Sequence, residues 1–148
     1  MILNRSVFPK IFIVAFLFIQ MVLAENPIIT QKYTADPNAM VYDGRVYVYC
    51  SRDDNNGEAY DIVDYTLVSS DDMVNWTDHG EVFKVPRDAS WANRAYAPGS
   101  AHRDGKFYLY FPDGGSSIGV AVGDKPEGPF KDALGKAIVN KSMPNCNV

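Results

Sequence analysis

The sequence predicts an all-β fold, the first two blades of a β-propeller in an incomplete ring. Three observations predict it. Beyond residue 24 there is no long apolar pattern of helical period; the apolar runs are short, rich in Val, Tyr and Phe, and bounded by Gly, Asp, Asn and Pro, as strands are. Asp43-Gly44 and Asp104-Gly105 each stand between two such runs, and both residue types tolerate the positive φ of a tight hairpin. Finally, Pro37, Asp43, Gly44, Tyr47 and Tyr49 recur in order as Pro98, Asp104, Gly105, Tyr108 and Tyr110. A four-stranded unit repeated every 50–60 residues or so is the mark of a propeller blade. Two unrelated meanders of a sandwich are the alternative, which the five matched positions disfavour.

Residues 1–24 stand apart from this pattern. Arg5 and Lys10 form a short basic region, and residues 11–24 read IFIVAFLFIQMVLA. Val22-Leu23-Ala24 puts short side chains where a signal peptidase reads them, which is the layout of a secretory signal peptide. An uncleaved anchor is the alternative, although a membrane span needs roughly 20 apolar residues. The expected mature protein is secreted, starts at Glu25 and has no membrane partner after cleavage. Residues 25–148 then form one domain, with blade 1 over about residues 33–84 and blade 2 over about residues 95–140.

In blade 1 the first strand is Ala39-Met40-Val41-Tyr42. The second is Arg45-Val46-Tyr47-Val48-Tyr49-Cys50, with Val46 and Val48 on one face and Tyr47 and Tyr49 on the other. A polar insertion, residues 52–61, precedes the third strand, Tyr65-Thr66-Leu67-Val68-Ser69, and the fourth runs over residues 76–83. Blade 2 repeats this with Ala97-Pro98-Gly99-Ser100-Ala101-His102, Lys106-Phe107-Tyr108-Leu109-Tyr110, Ile118-Gly119-Val120-Ala121-Val122 and residues 130–139. Propellers close with roughly 4–8 blades, and residues 142–148 offer no closing strand, so the chain reads as the N-terminal piece of a longer protein.

The 148 residues leave room for one ordinary domain. A balance of 14 Lys and Arg against 18 Asp and Glu, without a basic stripe, argues against a nucleic-acid partner. A hydrophobic content of 47% excludes a disordered chain. Two cysteines are too few for a disulfide scaffold; export permits a Cys50–Cys146 disulfide. Asn75-Trp76-Thr77 and Asn140-Lys141-Ser142 fit the N-glycosylation pattern.

Metal and nucleophile motifs are absent: no paired-histidine helix motif, no nucleophile elbow, no phosphate loop. His79 and His102 read as surface or packing residues. The stretch Arg52-Asp53-Asp54-Asn55-Asn56-Gly57 puts Arg52 where a calcium loop needs its first carboxylate, so no metal site is assigned. Asp43, Asp71, Asp72, Asp78, Asp104, Asp124 and Asp132 have the positions of turn residues. Asp36 differs. It leads into the first strand of blade 1, the strand that lines the channel of a propeller, and Pro37 is expected to restrict it to extended geometry. Asp36 is therefore a candidate functional carboxylate, with an Asx-type turn as the alternative.

Tyr33-Thr34-Ala35-Asp36-Pro37-Asn38-Ala39 followed by Asp43-Gly44-Arg45-Val46-Tyr47-Val48-Tyr49 resembles the opening of glycoside hydrolase family 43. So does Ser69-Ser70-Asp71-Asp72-Met73-Val74-Asn75-Trp76-Thr77-Asp78-His79-Gly80, and Tyr96-Ala97-Pro98 with Asp104-Gly105-Lys106-Phe107-Tyr108-Leu109-Tyr110 is similar to its second blade. The resemblance covers residues 26–148. It implies a five-bladed propeller and inverting hydrolysis of arabinosyl or xylosyl linkages in plant cell-wall polysaccharide. It further implies that Asp36 is the general base, while the general acid and the Asp that tunes it lie in later blades. Tyr96-Ala97 stands where the family usually has Trp-Ala, so Tyr96 and Ala97 are candidate sugar-binding residues. No cofactor is required; some members hold a structural calcium ion through a later-blade His, and nothing in this sequence matches it.

The chemistry agrees with that assignment. An inverting glycosidase needs one ionised carboxylate to activate water and one protonated carboxylic acid, roughly 6.5–9.5 Å apart. An aspartate, with a reference pKa of about 3.9, suits the first role, and a neighbouring carboxylate raises the pKa needed for the second. Most tyrosines, Tyr47, Tyr49, Tyr108 and Tyr110 among them, are read as packing between blades. A sialidase Asp-box is disfavoured because Met73 replaces its glycine. A fructan-cleaving enzyme is disfavoured because Tyr33-Thr34-Ala35 precede Asp36. A non-catalytic carbohydrate-binding propeller remains the alternative from another class. The 148-residue chain by itself is expected to be nearly inactive and marginally stable, since it holds one of three expected carboxylates and leaves apolar blade faces uncovered.

Overall fold

The computed structural model describes residues 27–53 and 61–144. The expected signal peptide, the centre of the polar insertion and Cys146 lie outside the described residues. Two antiparallel sheets follow one another along the chain, with no helix among the described residues. Strands β1 (Thr34–Tyr42), β2 (Arg45–Asp53), β3 (Ile62–Ser70) and β4 (Thr77–Lys84) are hydrogen-bonded in that order. Strands β5 (Gly99–Arg103), β6 (Lys106–Asp113) and β7 (Ser117–Gly123) form a second meander, and the short β8 (Lys131–Asp132) and β9 (Val139–Asn140) both pair with β7. These are two propeller blades whose innermost strands, β1 and β5, run beside each other. At that contact Ser100 Oγ donates to Asn38 Oδ1 at 2.5 Å.

Both Asp-Gly pairs do what their chemistry predicts. Asp43 and Gly44 have φ of 48° and 73°, and Asp104 and Gly105 have φ of 51° and 71°. Two consecutive left-handed residues make the turn whose twist matches that of the flanking strands. Residues 71–75 are held by Asp72, which accepts from the Val74 and Asn75 backbone N–H groups at 2.8 and 2.7 Å. Those bonds hold its carboxyl well below the usual carboxylate range, the Asn75 N–H first.

The fourth strand of blade 2 differs from the expectation. Residues 130–139 are not one strand but β8 and β9, because residues 133–138 loop out opposite Ile118–Val120. Ala133 N bonds Val120 O at 2.9 Å and Ile138 N bonds Ile118 O at 2.8 Å. Gly135 in between takes φ of 68°, a conformation that costs glycine little.

The alternation of β2 sorts side chains as expected. Tyr47 and Tyr49 enter the main core with Tyr65, Leu67 and Phe83, while Val48 and Cys50 join Val68 in a smaller cluster on the other face. The main core is the seam between blades, because Phe107, Leu109, Phe111 and Phe130 of blade 2 complete it. Tyr49 also crosses the seam, its hydroxyl donating to Pro126 O at 2.7 Å. Of the four repeat tyrosines expected to pack between blades, Tyr47 and Tyr49 do so at the seam between blades 1 and 2. Tyr108 is half-buried and Tyr110 exposed, because in blade 2 the tyrosine face points away from blade 1 and Phe107, Leu109 and Phe111 point toward it. His79 is bound to Ser69 Oγ at 2.7 Å, and His102 packs on the rings of Tyr42 and Phe107, so both have the packing role expected of them.

The segment joining the blades is stapled by Asp88. Its carboxylate accepts from Lys84 N at 2.8 Å, from Arg87 Nη2 at 2.5 Å and from Lys131 Nζ at 2.5 Å, and its carbonyl accepts from Asp132 N at 2.9 Å. Burial pushes this carboxyl up, but the bonds from Arg87, Lys131 and Lys84 outweigh it and hold it below the ordinary range. A group depressed in this way adds stability above its unfolded pKa of about 3.9 and loses it as pH falls through the folded value. The parent melting temperature should therefore drop below about pH 4. Asp88→Asn should melt lower at pH 7 and show a smaller acid-induced drop, checked by thermal melts at pH 7 and pH 3.

Candidate active site

Asp36 lies within β1 rather than ahead of it, and it is not extended. Its φ is 50°, although a residue before proline is normally driven to extended backbone. The cause is a β-bulge. Ala35 pairs with Ser51 and Asn38 with Tyr49, so Asp36 and Pro37 together face the single residue Cys50. Pro37 has no N–H to give to the ladder, and the extra residue is accommodated by turning Asp36 into the left-handed region. A non-glycine residue so placed stores about 1–3 kcal/mol and persists only where its surroundings hold it. Asp36 is exposed.

Ser51 holds it. This serine is fully buried, and its hydroxyl reaches Ala35 O at 3.1 Å and Asp36 Oδ2 at 3.2 Å. The same residue pairs with Tyr65 on its other side. Ala35, Ser51 and Tyr65 thus form one row across three strands. Burial pushes the Tyr65 phenol well above the ordinary tyrosine range, and the Asp36 carboxylate adds to that. Burial likewise raises the Cys50 thiol, opposed by Lys32 and assisted by Asp36. The Asp36 carboxylate thus bears on both Tyr65 and Cys50.

The row continues into blade 2. Tyr65 Oη donates to Tyr96 O at 2.5 Å, Tyr96 N bonds Pro112 O at 3.0 Å, and Ala95 N bonds Ile62 O at 2.9 Å. Tyr96 is half-buried and Ala97 exposed. The structure thus ties the backbone of the candidate sugar-binding pair, through Tyr65, to the blade that carries Asp36. At the same ends of β2 and β3, Arg52 grips the fully buried Asp64 with Nε to Oδ1 at 2.8 Å and Nη2 to Oδ2 at 2.5 Å, and Lys84 Nζ lies 3.6 Å from Oδ2. Arg94 pairs with Asp61 at 3.2 Å, a second tie between the linking segment and blade 1.

Ser51, Tyr65 and the Arg52–Asp64 pair were not evident as site residues in the sequence. The available signal was a serine and an aspartate interrupting otherwise apolar strands. Among the described residues no group of three or more His, Cys, Asp or Glu side chains is set to hold a metal ion. An exposed carboxylate held by a buried hydroxyl can accept a proton from a water molecule.

The model of the family described as Glycosyl hydrolases family 43 matches residues 24–144. An arabinoxylan arabinofuranohydrolase from Paenibacillus polymyxa is 41% identical over 142 residues, covering 80% of this chain and 22% of that protein. The solved α-L-arabinofuranosidase from Clostridium thermocellum is 50% identical with a TM-score of 0.67, covering 80% of this chain and 40% of that one. A solved Xanthomonas citri enzyme of the family, complexed with xylotriose, is 44% identical with a TM-score of 0.67, covering 75% and 34%. The chain spans well under half the length of each.

Proposed function

Because the chain belongs to glycosyl hydrolase family 43, we propose that it supplies the general base, Asp36, of an inverting hydrolase that releases arabinosyl or xylosyl units from arabinoxylan. The observation that carries this reading is the bulged, left-handed Asp36 on the innermost strand of blade 1. A carboxylate there is not needed for hairpin geometry, which Asp43 and Gly44 provide. Support for the substrate class comes from the relatives named above, which include an arabinoxylan arabinofuranohydrolase and an enzyme complexed with xylotriose.

In this mechanism Asp36 takes a proton from water as the water attacks the anomeric carbon. A carboxylic acid on the opposite side protonates the leaving oxygen. Since the chain spans only 22–40% of the three relatives, we assign that acid, its tuning carboxylate and the rest of a five-bladed ring to sequence outside residues 1–148. Tyr96 offers an aromatic face and Ala97 an open backbone edge beside the sugar. No cofactor takes part in the chemistry, and any calcium ion has a structural role. The leader-like residues 1–24 direct the protein out of the cell, where its polysaccharide substrate lies.

The test is the configuration of the product. Proton NMR during the first minutes of hydrolysis by the full-length enzyme should show the released sugar in the anomeric form opposite to that of the substrate. Retained configuration, or no sugar released from arabinoxylan or xylo-oligosaccharides, would contradict the proposal.

A further inference from the structure

We propose that Ser51 is a positioning residue for Asp36, and that its hydroxyl sets the direction of the carboxylate that activates water. The proposal rests on the assignment of Asp36 as the base and goes beyond it by naming what aims the group. Three observations carry it. Asp36 sits at φ of 50° immediately before a proline, a conformation that does not persist unless it is held. The Ser51 hydroxyl bridges the two parts of the chain that define this conformation, Ala35 O at 3.1 Å and Asp36 Oδ2 at 3.2 Å. Moreover, Ser51 is fully buried between Ala35 and Tyr65, so its hydroxyl cannot turn to solvent.

The hydroxyl has a single proton to share between these acceptors. Its contact with Oδ2 leaves Oδ1 as the freer oxygen for water. A catalytic group displaced by about 1 Å loses much of its rate, whereas substrate contacts made by other residues are untouched. Removal of the hydroxyl should therefore act on turnover and spare binding.

The experiment compares Ser51→Ala, Ser51→Thr and Asp36→Asn in the full-length enzyme, with active sites counted by folded fraction and hydrolysis of arabinosyl and xylosyl aryl glycosides followed. Ser51→Ala should lower kcat roughly tenfold and leave KM within about twofold. Ser51→Thr, which restores a hydroxyl at the same place, should recover most of the lost kcat if it melts like the parent; if the added methyl unfolds it, the kcat of Ser51→Ala decides alone. Parent-like kcat in Ser51→Ala, a loss confined to KM, or equal loss in folded Ala and Thr variants would overturn the proposal. The Asp36→Asn control separates the two ideas. If Asp36→Asn is inactive while Ser51→Ala turns over like the parent, only the positioning role fails. If Asp36→Asn is itself active, the base assignment fails, and the positioning role with it.

Discussion

Replacing Asp36 with asparagine should lower kcat on arabinosyl and xylosyl aryl glycosides by about 10²–10⁴-fold, the usual worth of a general base. The amide keeps the size and the hydrogen-bonding reach of the side chain, and asparagine tolerates the left-handed φ that the bulge imposes. Ser51 can still donate to the amide oxygen, so the fold around β1 should survive. What disappears is the capacity to accept a proton from water during attack. KM should change little, since the group meets the water rather than the sugar. Asp43→Asn is the matched control: it changes a carboxylate beyond the far end of β1, in the β1–β2 hairpin turn, and it should leave kcat at the parent level. Steady-state kinetics on the two variants, in the full-length enzyme, check this.

The second large effect is on stability. Gly119 of β7 pairs with Phe111 of β6, and the phenylalanine ring lies flat across the glycine. A Cβ at Gly119 would stand 2.2 Å from Phe111 Cζ and 2.6 Å from Cε2. The ring has no room to retreat: it is fully buried, with Phe83 at 4.7 Å and Trp91 at 5.6 Å between ring centroids. Overpacking of this kind costs about 1–3 kcal/mol and occasionally more, and Gly119→Ala should fall at the top of that range. Because Phe83 belongs to blade 1, the damage should spread to the seam between the blades. Adding Phe111→Leu, which withdraws the ring, should recover part of the loss. Denaturant midpoints of the parent, the single variant and the double variant measure both effects. An unchanged midpoint in Gly119→Ala would mean that the ring and the glycine are not in contact.

Much of this architecture was legible in the residues because it rests on local chemistry. The Asp-Gly pairs demand positive φ wherever they occur, and the alternation of Val and Tyr in residues 46–49 sorts them to two faces without knowledge of the rest of the chain. The repeat at Pro98, Asp104 and Gly105 then carries the second blade. What was not legible depends on pairing. The rule for residues before proline made Asp36 extended, and the bulge that overturns it exists only because β2 offers one residue, Cys50, opposite two. Ser51 looks like any strand serine until the register sets it beside Ala35 and Tyr65. Tyr108 and Tyr110 copy Tyr47 and Tyr49 in sequence, but each blade turns its tyrosine face the same way around the ring, so the second pair faces away from the first blade. In β8 and β9 the split follows from extra residues opposite β7, a length mismatch that composition does not display.

Asp36 can be interrogated most directly by replacing its missing chemistry. A variant with a smaller side chain, Asp36→Ala in the full-length enzyme, leaves space where the base stood, and a small anionic nucleophile such as azide needs no base to attack. Turnover of an activated aryl arabinoside or xyloside by this variant should be very low in buffer and should rise with added azide. The product should be the glycosyl azide of configuration opposite to the substrate. If azide leaves the rate unchanged, or if the azide product retains the substrate's configuration, Asp36 is not the group that delivers water.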